Sequence, residues 1–277
     1  MIKKLTLIIG FIICLSSCGK DYVYRIEGEL SNLEDQTVYA VFEKDNYKVV
    51  DTVACTKPGQ FQIDQNEAGF HCVTIFFADK EHWVTAYLEP GETVKITGDA
   101  NSPLLLQVKG GRTNDKLAAF KKKIAPLLTE LTNLSTSLNS KDLNDTIEET
   151  DIAARLANVN MQLSEEAIRY VKENPNEEAS VVLIQSFFSD PDDTRKIDEL
   201  LALLNPRLKD FYLVKELEQY SARAKRTALG AEAPDFSVRN IYGNTVSLDS
   251  FRRNIYCLRL RLLGVICARQ RIYIWIR

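Results

Sequence analysis

The chain has 277 residues, 45% hydrophobic and 26% charged, with 12 Gly and 8 Pro, which excludes a staple-dependent miniprotein, a disordered chain and a fibrous one. The formal charge of −3 hides an uneven distribution: of 35 basic residues, Lys3 and Lys4 precede every acid and seven arginines lie from Arg252 onward, leaving 26 between positions 18 and 251 against all 38 acids. That span, at a net −12, repels nucleic acid and anionic membrane surfaces, so neither is an expected partner.

Lys3 and Lys4 stand ahead of Leu5 to Leu15, an apolar run broken only by Thr6 and too short to span a bilayer as a helix. It reads as an export signal over residues 1–17. Its end, Leu15-Ser16-Ser17-Cys18, resembles a bacterial lipobox, in which the cysteine thiol takes the lipid. The resemblance implies lipidation at Cys18, a short tether over 18–21 and a membrane partner through that anchor. Neither Gly19 nor Lys20 is the acid that usually retains such proteins at the inner membrane, so an outer-membrane address facing periplasm or cell surface is expected.

From Tyr22 to about Val108, apolar and polar residues alternate in short runs between turn residues, which predicts at least seven strands and an all-β sandwich over 22–110. Lys57-Pro-Gly-Gln and Glu89-Pro-Gly-Glu are the plainest turns. No catalytic constellation is found. His71 and Cys72 are adjacent and point to opposite faces of a strand, while His82 and Cys55 are scattered, so no metal site is expected. Three features, Tyr24-Arg-Ile-Glu-Gly28, Asp51-Thr52 with Gly59-Gln-Phe61, and Leu88-Glu-Pro-Gly-Glu92, together resemble the DUF4369-type amino-terminal β domain of Bacteroidetes lipoproteins. That domain, of no settled function, precedes a thioredoxin-like domain.

At Asn114 the period changes. Leu117, Phe120, Ile124, Leu127, Leu128, Leu131, Leu134 and Leu138 recur at three and four, predicting an amphipathic helix. Ile152 to Val171 predicts a second, stopped at Asn174-Pro175, and Ala179 to Phe188 a third, stopped at Asp190-Pro191. Asp193 is placed to cap a fourth, and Asn205-Pro206 to start a fifth, giving a helical bundle over 111–228. The acidic pairs Glu148-Glu149, Glu165-Glu166 and Glu177-Glu178 lack a partnering His or Lys in sequence and read as a solvated face.

Ala233-Pro234-Asp235-Phe236, then Ser237 to Tyr242, Gly243-Asn244, and Thr245 through Leu248 to Phe251 predict a strand, a Gly-Asn turn, a return strand and a short helical turn. This ordered series closely resembles the opening of thioredoxin-like proteins of the peroxiredoxin and cytochrome-maturation type, with Pro234, Asp235, Phe236, Gly243, Leu248 and Phe251 in the family pattern. The resemblance implies an α/β domain beginning at 229, making the fold class α+β with a β-sandwich, a helical bundle and a thioredoxin-like fragment. It also implies thiol-disulfide exchange with no cofactor and no metal: one cysteine attacks a substrate disulfide and a second, two residues on, resolves the mixed disulfide.

The match stops near Arg253, and the chain has no Cys-x-x-Cys; Cys257 and Cys267 are ten apart. A one-base shift of frame accounts for this. Taking each preceding wobble base with the first two bases of the next codon, Gly264 to Ala268 can be reread as Trp-Cys-Asp-Leu-Cys, and Asn254 to Leu263 as a β-type string leading into it. Residues 254–277 then form an out-of-frame tail and the product is truncated; a genuinely divergent terminus is the alternative. The function expected is a lipid-anchored envelope protein of a thiol-disulfide oxidoreductase family, inactive in this form and with no catalytic residue. The alternative is a non-enzymatic binding or structural lipoprotein acting through its β domain, with ligand and redox partner unspecified.

Overall fold

The computed structural model describes residues 22–33, 37–45, 47–77, 81–139, 146–190, 193–228, 230–232, 235–251, 256–259 and 273–276. Cys18 and Pro234 lie outside these residues. The fold is α+β, strands first and helices after, in two compact units, 1–166 and 167–277.

The first unit opens with eight strands: β1 (Tyr24–Ser31), β2 (Thr37–Lys44), β3 (Tyr47–Ala54), β4 (Gln60–Gln65), β5 (Cys72–Phe76), β6 (Trp83–Tyr87), β7 (Thr93–Asp99) and β8 (Gln107–Lys109). They form two four-stranded sheets, β4-β1-β7-β8 and β3-β2-β5-β6. Strict alternation produces this layering, because period-two side chains fall on one face. Tyr24, Ile26 and Leu30 with Phe61, Ile63, Val94 and Ile96 line one inner face; Val38, Ala40, Phe42, Val73, Ile75, Val84 and Ala86 line the other. All belong to one buried cluster. β8, three residues long, is the strand that alternation does not reveal.

Two Pro-Gly turns set the corners. Gln60 N–H donates to Lys57 O at 2.9 Å, and Glu92 N–H to Glu89 O at 3.1 Å. Gly59 and Gly91 have φ of 74° and 83°, the left-handed conformation that a type II turn requires at its third position, with Pro at its second. β1 pairs antiparallel with β4 but parallel with β7, so a chain that is otherwise a series of antiparallel pairs closes one sheet by a long-range parallel match.

Two long helices follow, α1 (Arg112–Asn139) and α2 (Thr146–Glu173). Within the first unit Phe120, Ile124, Leu128 and Leu134 of α1 are buried, as are Ile152, Val159 and Leu163 of α2. Ion pairs Lys123–Glu166 (2.9 Å) and Glu130–Arg155 (3.1 Å) run in opposite chain directions, as an antiparallel hairpin requires. Glu166, read from sequence as part of a solvated face, is held by Lys123 instead, a partner on another helix.

In the second unit the end of α2, α3 (Glu178–Phe188), α4 (Arg195–Leu203) and α5 (Tyr212–Thr227) bury Val171, Val181, Ile184, Ile197, Leu200, Leu213 and Leu217. Asp193, expected to cap α4, stands one residue too early: the N-cap position is Thr194, whose side chain makes no cap bond, and Asp193 accepts instead from the Arg195 N–H at 3.1 Å in a turn just ahead of the helix. Asn205 caps at its expected place, accepting from Arg207 N–H at 2.9 Å, but it starts a 3-10 turn, Pro206–Asp210, and α5 begins only beyond it. Then come β9 (Ser237–Arg239), β10 (Thr245–Ser247), a 3-10 turn (Leu248–Phe251), and the antiparallel pair β11 (Tyr256–Arg259) and β12 (Tyr273–Ile276).

Candidate functional site

Three places carry side chains worth weighing: the hairpin at 235–251, the junction where α1 leaves the sandwich, and the outer face of the β3-β2-β5-β6 sheet.

In the hairpin, β9 and β10 pair through Val238 and Val246. Asn240 builds the turn: its side chain accepts from Tyr242 N–H (2.9 Å) and Asn244 N–H (3.0 Å), while Gly243 N–H donates to Asn240 O at 3.0 Å. The turn therefore spans 240–243, with φ of 82° at Gly243, rather than centring on Gly243-Asn244; the Asn240 side chain supplies the bonds that decide it. Asp235 accepts from Phe236 N–H at 2.9 Å, and Leu248 N–H donates to Phe236 O at 3.2 Å, closing the hairpin onto the 3-10 turn. Of the residues assigned to the thioredoxin-like pattern, Asp235, Phe236, Gly243, Leu248 and Phe251 are thus brought into one small element. None of residues 235–251 is buried, and Ile241 and Tyr242 are 92% and 80% exposed.

The junction was not legible in the sequence. Asn114, 1% exposed, sits in the first turn of α1 and treats Tyr87 at the end of β6 as a strand partner would: its Oδ1 accepts from Tyr87 N–H at 2.9 Å and its Nδ2 donates to Tyr87 O at 2.7 Å. The same Nδ2 donates to Gly110 O at 2.7 Å. Glu89 accepts from Thr113 N–H at 3.2 Å and Asp115 from Gly110 N–H at 2.9 Å, so two carboxylates meet the positive end of the helix. Lys121, two turns on, donates to Leu106 O at 2.9 Å, and burial lowers its pKa. These bonds hold α1 to the sheet edge. They are structural, since the Glu89, Asn114, Asp115 and Lys121 side chains all bond to backbone groups. The available signal was Gly110-Gly111 ahead of Thr113-Asn114, a glycine pair leading into a polar helix start.

The cysteines and histidines of the β domain do not converge. His71 Nε2 lies 3.1 Å from Asp45 Oδ1, Cys72 Sγ lies 3.9 Å from Glu43 Oε2, and Cys55 is half-buried with its thiol pKa raised by burial. Among the described residues no group of three His, Cys, Asp or Glu could hold a metal ion, and no helix is long and apolar enough to cross a membrane.

Residues 24–117 match the family described as a domain of unknown function (DUF4369). The DUF4369 match starts at the first residue of β1 and ends in the second turn of α1, so it takes in the whole sandwich together with Glu89, Thr113, Asn114 and Asp115. The junction therefore belongs to the DUF4369 domain and not to a linker after it. No curated protein and no solved structure matches the chain.

The outer face of the second sheet is the third place. Pairing sets three rows across it: Thr52-Tyr39-Phe76-Trp83, Val50-Val41-Thr74-Thr85 and Lys48-Glu43-Cys72-Tyr87. Trp83 is 54% and Val50 63% exposed, the Phe76 and Trp83 rings lie 6.0 Å apart, and the Thr74 and Thr85 hydroxyls are bonded at 3.1 Å. The first two rows are aromatic, aliphatic and hydroxylic, and the third carries the ion pair of Lys48 with Glu43.

Proposed function

We propose that this chain is a lipid-anchored cell-envelope protein derived from a thiol-disulfide oxidoreductase with a thioredoxin-like domain, and that the polypeptide as encoded does not turn over disulfides. The observation that carries the reading is the hairpin at 235–251. Asp235, Phe236, Gly243, Leu248 and Phe251 follow the order of a thioredoxin-like opening and fall in one hairpin and its 3-10 turn, and none of them is buried. The DUF4369 domain at 24–117 supports the same reading, because the resembling lipoproteins carry their redox domain after such a β domain.

Family chemistry requires a thiolate at a helix amino terminus and a resolving thiol two residues away. Cys55 and Cys72 lie in the β domain, one at the end of β3 and the other in β5, neither at a helix start. Cys257 and Cys267 lack the spacing. The proposed cause is loss of one adenine near the Arg253 codon, which hides a Trp-Cys-x-x-Cys.

Insulin reduction with a free-thiol titration tests activity: the chain should show no steady turnover, and restoring one adenine at that codon should create it. Steady turnover that is lost on Cys257→Ser or Cys267→Ser would overturn the reading. Anchoring is tested separately by metabolic palmitate labelling, which should vanish in Cys18→Ala; unchanged labelling refutes the lipobox, and density fractionation reports whether the membrane is the outer one.

A second reading, a non-enzymatic binding lipoprotein, is favoured by the aromatic row on the sandwich, in which Trp83 is exposed and Tyr39 and Phe76 are partly exposed.

A further inference from the structure

We propose that the outer face of the β3-β2-β5-β6 sheet binds an uncharged glycan laid across the strands. This concerns the β domain alone and holds whether or not the chain descends from an oxidoreductase.

Tyr39, Phe76 and Trp83 occupy directly opposed positions on β2, β5 and β6, so the row crosses the sheet at right angles to the strands. Neighbouring strands lie about 4.8 Å apart, close to the advance per sugar in an extended glycan. A chain of sugars laid along this row meets the exposed indole of Trp83, with the partly exposed Phe76 centred 6.0 Å from it and the partly exposed Tyr39 beyond. The apolar C–H face of a sugar stacks on an aromatic ring, while its rim of hydroxyls seeks donors and acceptors beside that ring. The second row supplies them two residues away: Thr74 and Thr85 share one hydrogen bond, which leaves one hydroxyl hydrogen and the remaining lone pairs uncommitted. Thr52, exposed on β3, continues the aromatic row with another hydroxyl.

Charge selects among occupants. The three rows hold one cation and one carboxylate, Lys48 and Glu43, and these are paired with each other. The face is therefore neutral on a strongly acidic body, which disfavours a polyanionic sugar and an anionic lipid surface. A second copy added at the free edge of β3 is guarded against by the edge itself. Pairing two β3 strands about Val50 sets Asp51 diagonally against its twin, and pairing about Val49 does the same to Lys48. An uncharged chain with alternating apolar faces and hydroxyl rims is the partner whose chemistry this surface repeats.

The test is affinity electrophoresis of the full chain through gels holding soluble mixed-linkage β-glucan, xylan, galactomannan or amylose, followed by titration calorimetry with whichever retards it. At least one should retard the chain, and Trp83→Ala and Phe76→Ala should each weaken binding about tenfold. Tyr47→Ala, at the start of β3 and off the three rows, should leave binding unchanged. Trp83 is half exposed, so its loss should not unfold the domain; Thr85→Val offers a second variant if melting shows otherwise. Failure of every glycan to retard the chain overturns the proposal, as does retardation indifferent to Trp83→Ala and Thr85→Val. A dimer, or capture on phosphatidylcholine vesicles, that Trp83→Ala abolishes would assign the face to a different occupant and overturn it equally.

Discussion

The ring of Phe61 occupies the space that a side chain at Gly28 would need: a Cβ at position 28 would sit 2.1 Å from its Cε1 and Cζ. The two residues are opposed on β4 and β1, so the aromatic ring covers the bare backbone of its strand partner and fills the inner layer there. Gly28 is thus required by packing and not by an unusual backbone angle.

Gly28→Ala should destabilise the domain by about 1–3 kcal/mol, the ordinary cost of overpacking a closed core. Adding Phe61→Leu should recover part of that loss, since the smaller side chain admits the methyl group. Chemical denaturation of both single variants and the double variant reads the coupling. Simple additivity would show that the two residues do not compete for the same space.

Asn114→Ala removes three hydrogen bonds, two of them to the part-buried N–H and C=O of Tyr87. A cost of about 2–3 kcal/mol is expected, because unmet buried backbone groups carry most of the penalty. Hydrogen exchange at the Tyr87 amide should accelerate in the variant while amides in the middle of β1 change only with global stability. Equal protection at Tyr87 in both proteins would mean that the side chain is not its partner in solution.

Asp198 joins α4 to α5: Lys225 Nζ lies 2.6 Å from its Oδ2, and the buried Ser221 hydroxyl donates to Oδ1 at 2.7 Å. Lys225 first, and then Ser221, favour the charged form and hold its pKa below the ordinary 3.8. The group therefore adds stability above that ordinary value, and the contribution is lost as pH falls through the depressed folded value. Asp198→Asn should cost about 1 kcal/mol at pH 7, since the ion pair is largely exposed and screened. The gap between wild type and variant should close as pH falls below the ordinary carboxylate value of 3.8; a gap independent of acid would refute the linkage.

A chain ending at Arg226 should keep its thermal midpoint, because no residue from 235 to 251 is buried and the helices before it carry their own apolar contacts. Circular dichroism melts of the two chains decide this. A fall beyond about 5 °C would mean that more than ~1 kcal/mol comes from the removed segment.

Local chemistry was readable without coordinates. Alternation in Tyr24-Arg-Ile-Glu-Gly28 marks a half-buried strand, Pro58-Gly59 and Pro90-Gly91 mark turns, and apolar residues at three and four mark α1 to α3, because each signal is a constraint within a few residues. The hairpin turn lies at 240–243 and not at Gly243-Asn244, because the Asn240 side chain accepts from the N–H groups two and four residues on and so competes with glycine for placing it.

What tertiary structure alone decided lies in long-range matches. The sequence by itself determined that there are strands enough for a sandwich and helices after them; it did not determine that β1 takes β7 in parallel, that three residues at 107–109 complete a sheet, or that Asn114 pairs with Tyr87. Nor did it show that Tyr39, Phe76 and Trp83, 37 and seven residues apart in the chain, form one row. Each of these depends on register between distant segments, which is set by how all the inner faces close over one core and not by any preference of the residues concerned.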